Sequence, residues 1–216
     1  QRQMCIRDSP GFALSRSTAL KEEYPTIAWD NDGISGHSVK LETCDTGPFG
    51  EMVNMRIAAG NLFIGTFDVT YALKDAMAAT RFGLPFNKKP LSFQGYYKFK
   101  PGETFQNRKG TAQPGRVDEP DLYAVLYKNT DEKGLPVTLK GDDVLTHPNI
   151  VALARVTDRT RVEKDEDFKA APWTYFDIPF EYKQEIEKHR LENNGYNLAV
   201  AVSYTHLRAH ETRGNL

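Results

Sequence analysis

Leu91-Ser-Phe-Gln-Gly-Tyr-Tyr-Lys-Phe-Lys100 decides the fold class of this chain. Leu91, Phe93, Gly95, Tyr97 and Phe99 fall on one parity, and Ser92, Gln94, Tyr96, Lys98 and Lys100 on the other. Successive side chains of a strand point to opposite faces, so this alternation predicts a strand with an apolar core face and a polar, aromatic outer face. Proline at 90 and Pro101-Gly102 bound the run with turn chemistry.

The same period recurs on both sides of it. Val39, Leu41 and Thr43 alternate with Ser38, Lys40 and Glu42, and Val53, Met55 and Ile57 alternate with Asn54, Arg56 and Ala58. Further strands are expected at Asn61 to Phe67, Leu122 to Lys128, Ile150 to Val156, Thr174 to Tyr182 and Tyr196 to Ala201. About eight short strands separated by Gly, Pro, Asn and Asp read as an all-β, jelly-roll-like β-sandwich. Helical pattern is confined to two connections. Thr70 to Thr80 is Ala-rich, with Leu73, Ala76 and Met77 at helical spacing, and the charged stretch Lys183 to Glu192 stops at Asn194-Gly195. No alternating βαβ pattern is present, which disfavours a parallel-sheet enzyme fold.

The two ends read differently from the middle. Residues 1–9, with Gln1-Arg-Gln-Met-Cys-Ile-Arg-Asp8, and residues 202–216, with Val202-Ser-Tyr-Thr-His-Leu-Arg-Ala-His-Glu-Thr212, resemble translated sequencing adapter, so the domain is expected to span 10–201 and to be truncated at its C-terminus. A missing last strand would leave an unpaired sheet edge. On that reading Cys5, His206 and His210 carry no metal or nucleophile role, although His206 and His210 have the i, i+4 spacing of a zinc pair. Setting aside Arg2, Arg7, Arg208, Arg213, Asp8 and Glu211 lowers the 28 basic and 29 acidic residues to 24 and 27. The scattered lysines and arginines form no basic patch, so nucleic-acid binding is not expected. No apolar stretch approaches the roughly 20 residues of a membrane span. A single cysteine within 10–201, Cys44, leaves no intrachain disulfide to form there.

Several constellations bear on chemistry. Asp30-Asn-Asp-Gly33 clusters oxygens as a calcium loop does, but it lacks the downstream bidentate glutamate and is ordinary turn chemistry. Asp118-Glu-Pro-Asp121 and Glu163 to Asp167 read as solvated acidic loops. Glycoside hydrolysis needs two carboxylates about 5 to 9 Å apart across a cleft. Asp118, Glu119, Asp121, Asp177 and Glu181 are candidates that sequence alone cannot pair. His37, His147 and His189 sit in polar, loop-like contexts without a nucleophile elbow, and Gly47-Pro-Phe-Gly50 lacks the lysine and helix start of a phosphate loop. No cofactor and no metal are expected.

The strand Trp173 to Tyr182 repeats the lesson of Leu91 to Lys100. Phe176, Ile178, Phe180 and Tyr182 form its core face, and Trp173, Tyr175, Asp177 and Glu181 the other. Sugars present apolar C–H faces and rings of hydroxyls, which suit an exposed aromatic platform flanked by amide, carboxylate or basic groups. If the two strands share a sheet, Tyr96, Trp173, Tyr175, Gln94, Lys98 and Asp177 form one glycan platform. The alternative is a solvent face of no function, with Trp173 covering a sheet edge. Trp29, beside a turn, reads as core.

Four ordered motifs carry a family resemblance: Ala58-Ala-Gly-Asn-Leu-Phe-Ile-Gly-Thr-Phe67, Arg81-Phe-Gly-Leu-Pro-Phe-Asn-Lys-Lys-Pro90, Gly95-Tyr-Tyr-Lys-Phe-Lys-Pro-Gly102 and Asp121-Leu-Tyr-Ala-Val-Leu-Tyr127. With Trp29 and Ser38-Val-Lys-Leu41, the chain resembles the putative carbohydrate metabolism domain of surface proteins from gut anaerobes. The resemblance implies a jelly-roll sandwich in exported lipoproteins at the bacterial cell surface or outer membrane. It also implies a poly- or oligosaccharide partner and further domains on the same polypeptide. It names a substrate class without naming a reaction. A non-catalytic glycan-binding or adhesion module, a glycoside hydrolase and a structural stalk all remain open.

Overall fold

A computed structural model describes residues 24–29, 33–45, 57–72, 76–106, 111–162 and 169–204. Within them the fold is built around one strand. β10 (Pro120–Lys128) is the centre of a six-stranded antiparallel sheet, paired on one side with β11 (Ile150–Arg155) and on the other with β14 (Tyr196–Tyr204). The short β13 (Glu181–Tyr182) extends the β11 side, while β5 (Leu62–Phe63) and β8 (Leu84–Pro85) pair at different points along β14.

The central position follows from the sequence of β10. Asp-Leu-Tyr-Ala-Val-Leu-Tyr is a nearly continuous apolar run, and such a strand is stable only where both faces are covered. Val125, Leu126 and Tyr127 have no solvent exposure. Alternation splits the run between two cores. Tyr123, Val125 and Tyr127 pack with Phe82, Leu139, Val144, Ile150, Ala199 and Ala201 on one face. Ala124 and Leu126 pack with Ala152, Ala154, Phe180 and Tyr196 on the other. A register shift between Leu126 and Tyr127 places Ala152 opposite Leu126 and Ile150 opposite Tyr127, which is how Ile150 and Ala152, two residues apart on β11, serve opposite cores.

The first core is closed by the ribbon of β6 (Gly65–Phe67) and β7 (Thr80–Phe82) together with the connection between β10 and β11. Phe82 N–H donates to the Leu139 carbonyl at 2.8 Å. The buried Tyr127 hydroxyl donates to the Phe82 carbonyl at 2.6 Å and accepts from Asn197 Nδ2 at 3.0 Å. One phenol thus ties β10, β7 and β14 together. Gly83 must be glycine here: it has φ +96°, and an added Cβ would stand 2.8 Å from the Tyr127 ring.

The second core is closed by a separate two-stranded sheet of β9 (Ser92–Tyr97) and β12 (Thr174–Pro179). Phe93, Tyr97, Phe176 and Ile178 point inward against Leu122 and Val156. Phe93 and Phe176 meet at 4.9 Å between ring centroids, and the Phe176 ring lies over Gly95, its cross-strand partner, so closely that a Cβ there would stand 2.7 Å from it. The result is the expected all-β sandwich. Smaller pairings complete it: β1 (Thr26–Trp29) with β2 (Ser38–Leu41), and β3 (Cys44–Asp45) with β4 (Ile57–Ala58).

The structure departs from the sequence reading at several points. Among the described residues of Thr70 to Thr80, α1 (Val69–Ala72) and α2 (Ala76–Ala79) are helical, Leu73 lies outside those residues, and Thr80 already belongs to β7. Its backbone pairs with Phe67 instead of continuing a helix. Of Lys183 to Glu192 only α3 (Lys188–Glu192) is helical, because Lys183 and Gln184 donate their amides to the Val151 carbonyl at the edge of β11. The helix stops as read, with Asn194 at φ +53° and Gly195 N–H on the Arg190 carbonyl. Asp121 is no solvated loop: it lies in β10, is 1% exposed and accepts from Arg155 Nε at 2.8 Å. Leu91, placed on the core parity, is 78% exposed because β9 begins one residue later. Trp29 is half-buried with the Lys40 ammonium 5.5 Å from its ring. Val202, Ser203 and Tyr204 continue β14 opposite Leu122, Asp121 and Pro120. The strand at Val53 to Arg56, Asp30 to Asp32 and the acidic run Glu163 to Asp167 lie outside the described residues.

Two outcomes check this core. Tyr127→Phe removes the buried donor to the Phe82 carbonyl and the acceptor of Asn197 Nδ2, so chemical denaturation is expected to show a loss of about 1–3 kcal/mol. A loss below 0.5 kcal/mol contradicts the three-strand tie. Glu187, at the start of α3, is held below the usual carboxylate range by Lys128 first, with Arg190 adding to it. A carboxylate depressed in the folded state stabilises above its unfolded pKa, and that stability fades as pH falls through the lower folded value. Glu187→Gln is therefore expected to be less stable than the parent at neutral pH and to have a shallower acid limb below about pH 4.3. Parallel acid limbs for the two proteins contradict the assignment.

Candidate functional site

The β9–β12 ribbon has spent its inner face on the core, and its outer face collects all six residues of the expected platform. The antiparallel register sets Tyr175 opposite Tyr96 and Asp177 opposite Gln94, with Pro179 opposite Ser92. Extending that ladder by one step sets Trp173 opposite Lys98. These are same-face, cross-strand neighbours, the unit through which side chains of a sheet interact.

Three of these pairs make a side-chain contact. The Tyr96 and Tyr175 rings lie 5.0 Å apart between centroids, tilted by 47°, and remain 48% and 52% exposed. Gln94 Nε2 donates to Asp177 Oδ2 at 2.8 Å and to Ser92 Oγ at 3.1 Å. The Tyr175 hydroxyl makes a longer 3.5 Å contact to the same Asp177 oxygen. The Lys98 ammonium stands 5.1 Å from the Trp173 ring centroid and donates to the Lys169 carbonyl at 3.2 Å. Trp173 is half-buried, held against the ribbon through this cation–π contact.

Electrostatics keep the tyrosine a donor. Desolvation by its neighbours first, then the Asp177 carboxylate and the adjoining Tyr96, push the Tyr175 phenol above its ordinary range. It stays protonated throughout the physiological range. The face thus offers tilted aromatic rings, one amide and one carboxylate with acceptor capacity left over.

The remaining sequence candidates are scattered. Asp121 is buried against Arg155, Glu119 pairs with Arg159 at 3.1 Å, and Asp118 accepts the Glu119 amide. Glu181 is exposed on the edge strand β13, away from β10 in the sheet order. His147 Nδ1 accepts the Asn149 amide at 3.1 Å in a turn, and the His189 side chain is 70% exposed on α3. Among the described residues no group of three or more His, Cys, Asp and Glu is placed to hold a metal.

One feature was missed by the sequence reading. A polar cleft of about 690 Å³ opens beyond the first core, lined among others by Asp68, Tyr71, Arg81, Asp142, Asp143 and His147. Its charged groups serve local structure: Asp68 accepts the Tyr71 amide and pairs with Arg81 at 3.6 Å, and Asp143 accepts the Lys140 amide at 2.7 Å. Asp142-Asp143 with His147 was a visible local signal. The convergence of α1, β7 and the β10–β11 connection was not.

A sequence model described as the putative carbohydrate metabolism domain matches residues 6–206, and the chain belongs to that family. Two solved structures are similar. A putative glycoside hydrolase from Bacteroides thetaiotaomicron VPI-5482 is 38% identical with a TM-score of 0.80, covering 94% of this chain and 56% of its own. A putative glycoside hydrolase from Bacteroides vulgatus ATCC 8482 is 35% identical with a TM-score of 0.77, covering 93% of this chain and 74% of its own. The chain therefore spans little more than half the length of the first of these proteins. No curated protein matches it. Among the described residues no helix is long and apolar enough to cross a membrane.

The site geometry has a spectroscopic consequence. Asp177→Asn removes the charge that disfavours the phenolate, so ultraviolet pH titration is expected to show one tyrosine ionising at lower pH than in the parent. An unchanged titration curve contradicts the Tyr175–Asp177 contact.

Proposed function

We propose that this domain is a non-catalytic glycan-recognition module of an exported protein at the bacterial cell surface, acting in carbohydrate acquisition. The observation that carries this reading is the outer face of the β9–β12 ribbon, where Tyr96 and Tyr175 stack at 5.0 Å beside the Gln94–Asp177 hydrogen bond. Aromatic rings take the C–H face of a pyranose, and the amide and carboxylate take its hydroxyls. Membership of a carbohydrate-metabolism family supports the ligand class. The surface location rests on the kind of protein in which such domains occur.

Glycoside hydrolysis is the second reading, favoured by the description of the two solved relatives. It calls for two carboxylates facing each other across a cleft. Among the described residues of β9 and β12 the one acid is Asp177, already hydrogen-bonded to Gln94.

A glycan-array screen of the full chain, followed by product analysis on each hit, tests the two against each other. Binding without release of sugar is expected, with affinity falling tenfold or more in a Tyr96→Ala/Trp173→Ala variant, roughly the loss of one buried aromatic contact. Released sugar overturns the non-catalytic reading, and undiminished binding by the variant moves the site elsewhere. Tyr96 is exposed and Trp173 half-buried, so a thermal melt close to that of the parent is the companion control.

A further inference from the structure

Resting on the glycan-recognition reading, we infer that the ribbon binds an internal stretch of an extended, neutral glycan chain laid along the strands, not a chain end and not an acidic sugar. The argument starts from the order of the outward pairs. Along the ribbon they run Trp173 with Lys98, Tyr175 with Tyr96, Asp177 with Gln94, and Pro179 with Ser92. Same-face positions repeat every second residue, about 6.8 Å apart, so four successive pairs extend about 20 Å. That length spans several consecutive sugars of an extended chain. A single sugar would leave most of the pairs unused.

The shape of the face gives the second point. Capture of a chain end needs a wall that stops the next residue. Here the outward side chains sit on a sheet of two strands, and its central rings are about half exposed. The described cleft opens across the central sheet, over the opposite core, so it cannot serve as an end pocket for this ribbon. Among the described residues the outward row runs from Trp173 to Ser92 along the open face of that sheet.

Charge gives the third point. The Lys98 ammonium is already committed to the Trp173 ring and the Lys169 carbonyl. Asp177, by contrast, is an exposed carboxylate at the centre of the hydrogen-bonding end, and Gln94 and the Tyr175 hydroxyl both approach one of its oxygens, Oδ2. Its remaining acceptor capacity suits the donated hydroxyls of a neutral sugar, and its charge repels a uronate or a sulfate placed against it.

The test is a calorimetric length series on the full chain. The probes are the methyl glycosides of glucose, mannose and xylose, and linear gluco-, manno- and xylo-oligosaccharides of two to six units, each oligosaccharide native and with its reducing end converted to the alditol. Oligogalacturonates of the same lengths are the acidic counterpart. For at least one neutral series, Kd is expected to fall tenfold or more between the dimer and the hexamer. The long alditols should bind as well as the parents, and added salt should leave the affinity unchanged. Trp173→Ala should weaken hexamer binding more than dimer binding. A methyl glycoside as tight as the hexamer, or loss of binding in the alditols, overturns the internal-stretch inference while leaving glycan recognition standing. Preference for oligogalacturonates, with salt-sensitive binding, overturns its neutral character. Absence of binding to every probe overturns both this inference and the reading beneath it.

Discussion

Two-sided burial of β10 is the constraint on which the other layers depend. A strand whose residues from Asp121 to Tyr127 are all buried cannot stand at a surface, so two unrelated pieces of chain must cover it. On one side the β6–β7 ribbon and the β10–β11 connection do so, locked by the Tyr127 hydroxyl. On the other, β9 and β12 contribute Phe93, Tyr97, Phe176 and Ile178. Burial of such side chains stabilises by roughly 1.5–3 kcal/mol each before conformational entropy is counted. It also commits every second residue of both strands to the core.

The outward face is the complement of that commitment. Because parity has assigned the apolar residues inward, the alternate positions are released from packing, and what they hold is a matter of chemistry. In β9 and β12 they hold tyrosine, glutamine and aspartate in cross-strand register. Tyr96 and Tyr175 stand half exposed and stacked against each other, with an acceptor carboxylate alongside. The layer that closes the second core and the face read as a glycan platform are thus two sides of one ribbon.

Buried polar groups mark where the sheet extends past its apolar heart. Asp121 sits at the start of β10 opposite Ser203 of β14, and its carboxylate is met by Arg155 from β11. Burying a carboxylate is tolerable when such a partner supplies a charge-assisted hydrogen bond. The pair belongs to the scaffold. The same holds for Asp68 and Asp143 in the polar cleft, whose carboxylates accept backbone amides that shape the turns around them.

What the sequence determined by itself was parity and class. Alternation in Leu91 to Lys100 and Trp173 to Tyr182 named the inward aromatics Phe93, Tyr97, Phe176 and Ile178, and it put Tyr96, Gln94, Tyr175 and Asp177 outward, because strand geometry allows only two faces. Turn residues between the runs then implied an all-β sandwich. The tertiary structure alone decided that β9 and β12, some 80 residues apart, are neighbours in the register that sets Tyr96 against Tyr175. It also moved Asp121 from an apparent acidic loop into the core and ended the Ala-rich helical stretch at Ala79, giving Thr80 to β7. Pairing between distant strands is selected by which apolar faces can be buried together, and local pattern carries no record of that choice.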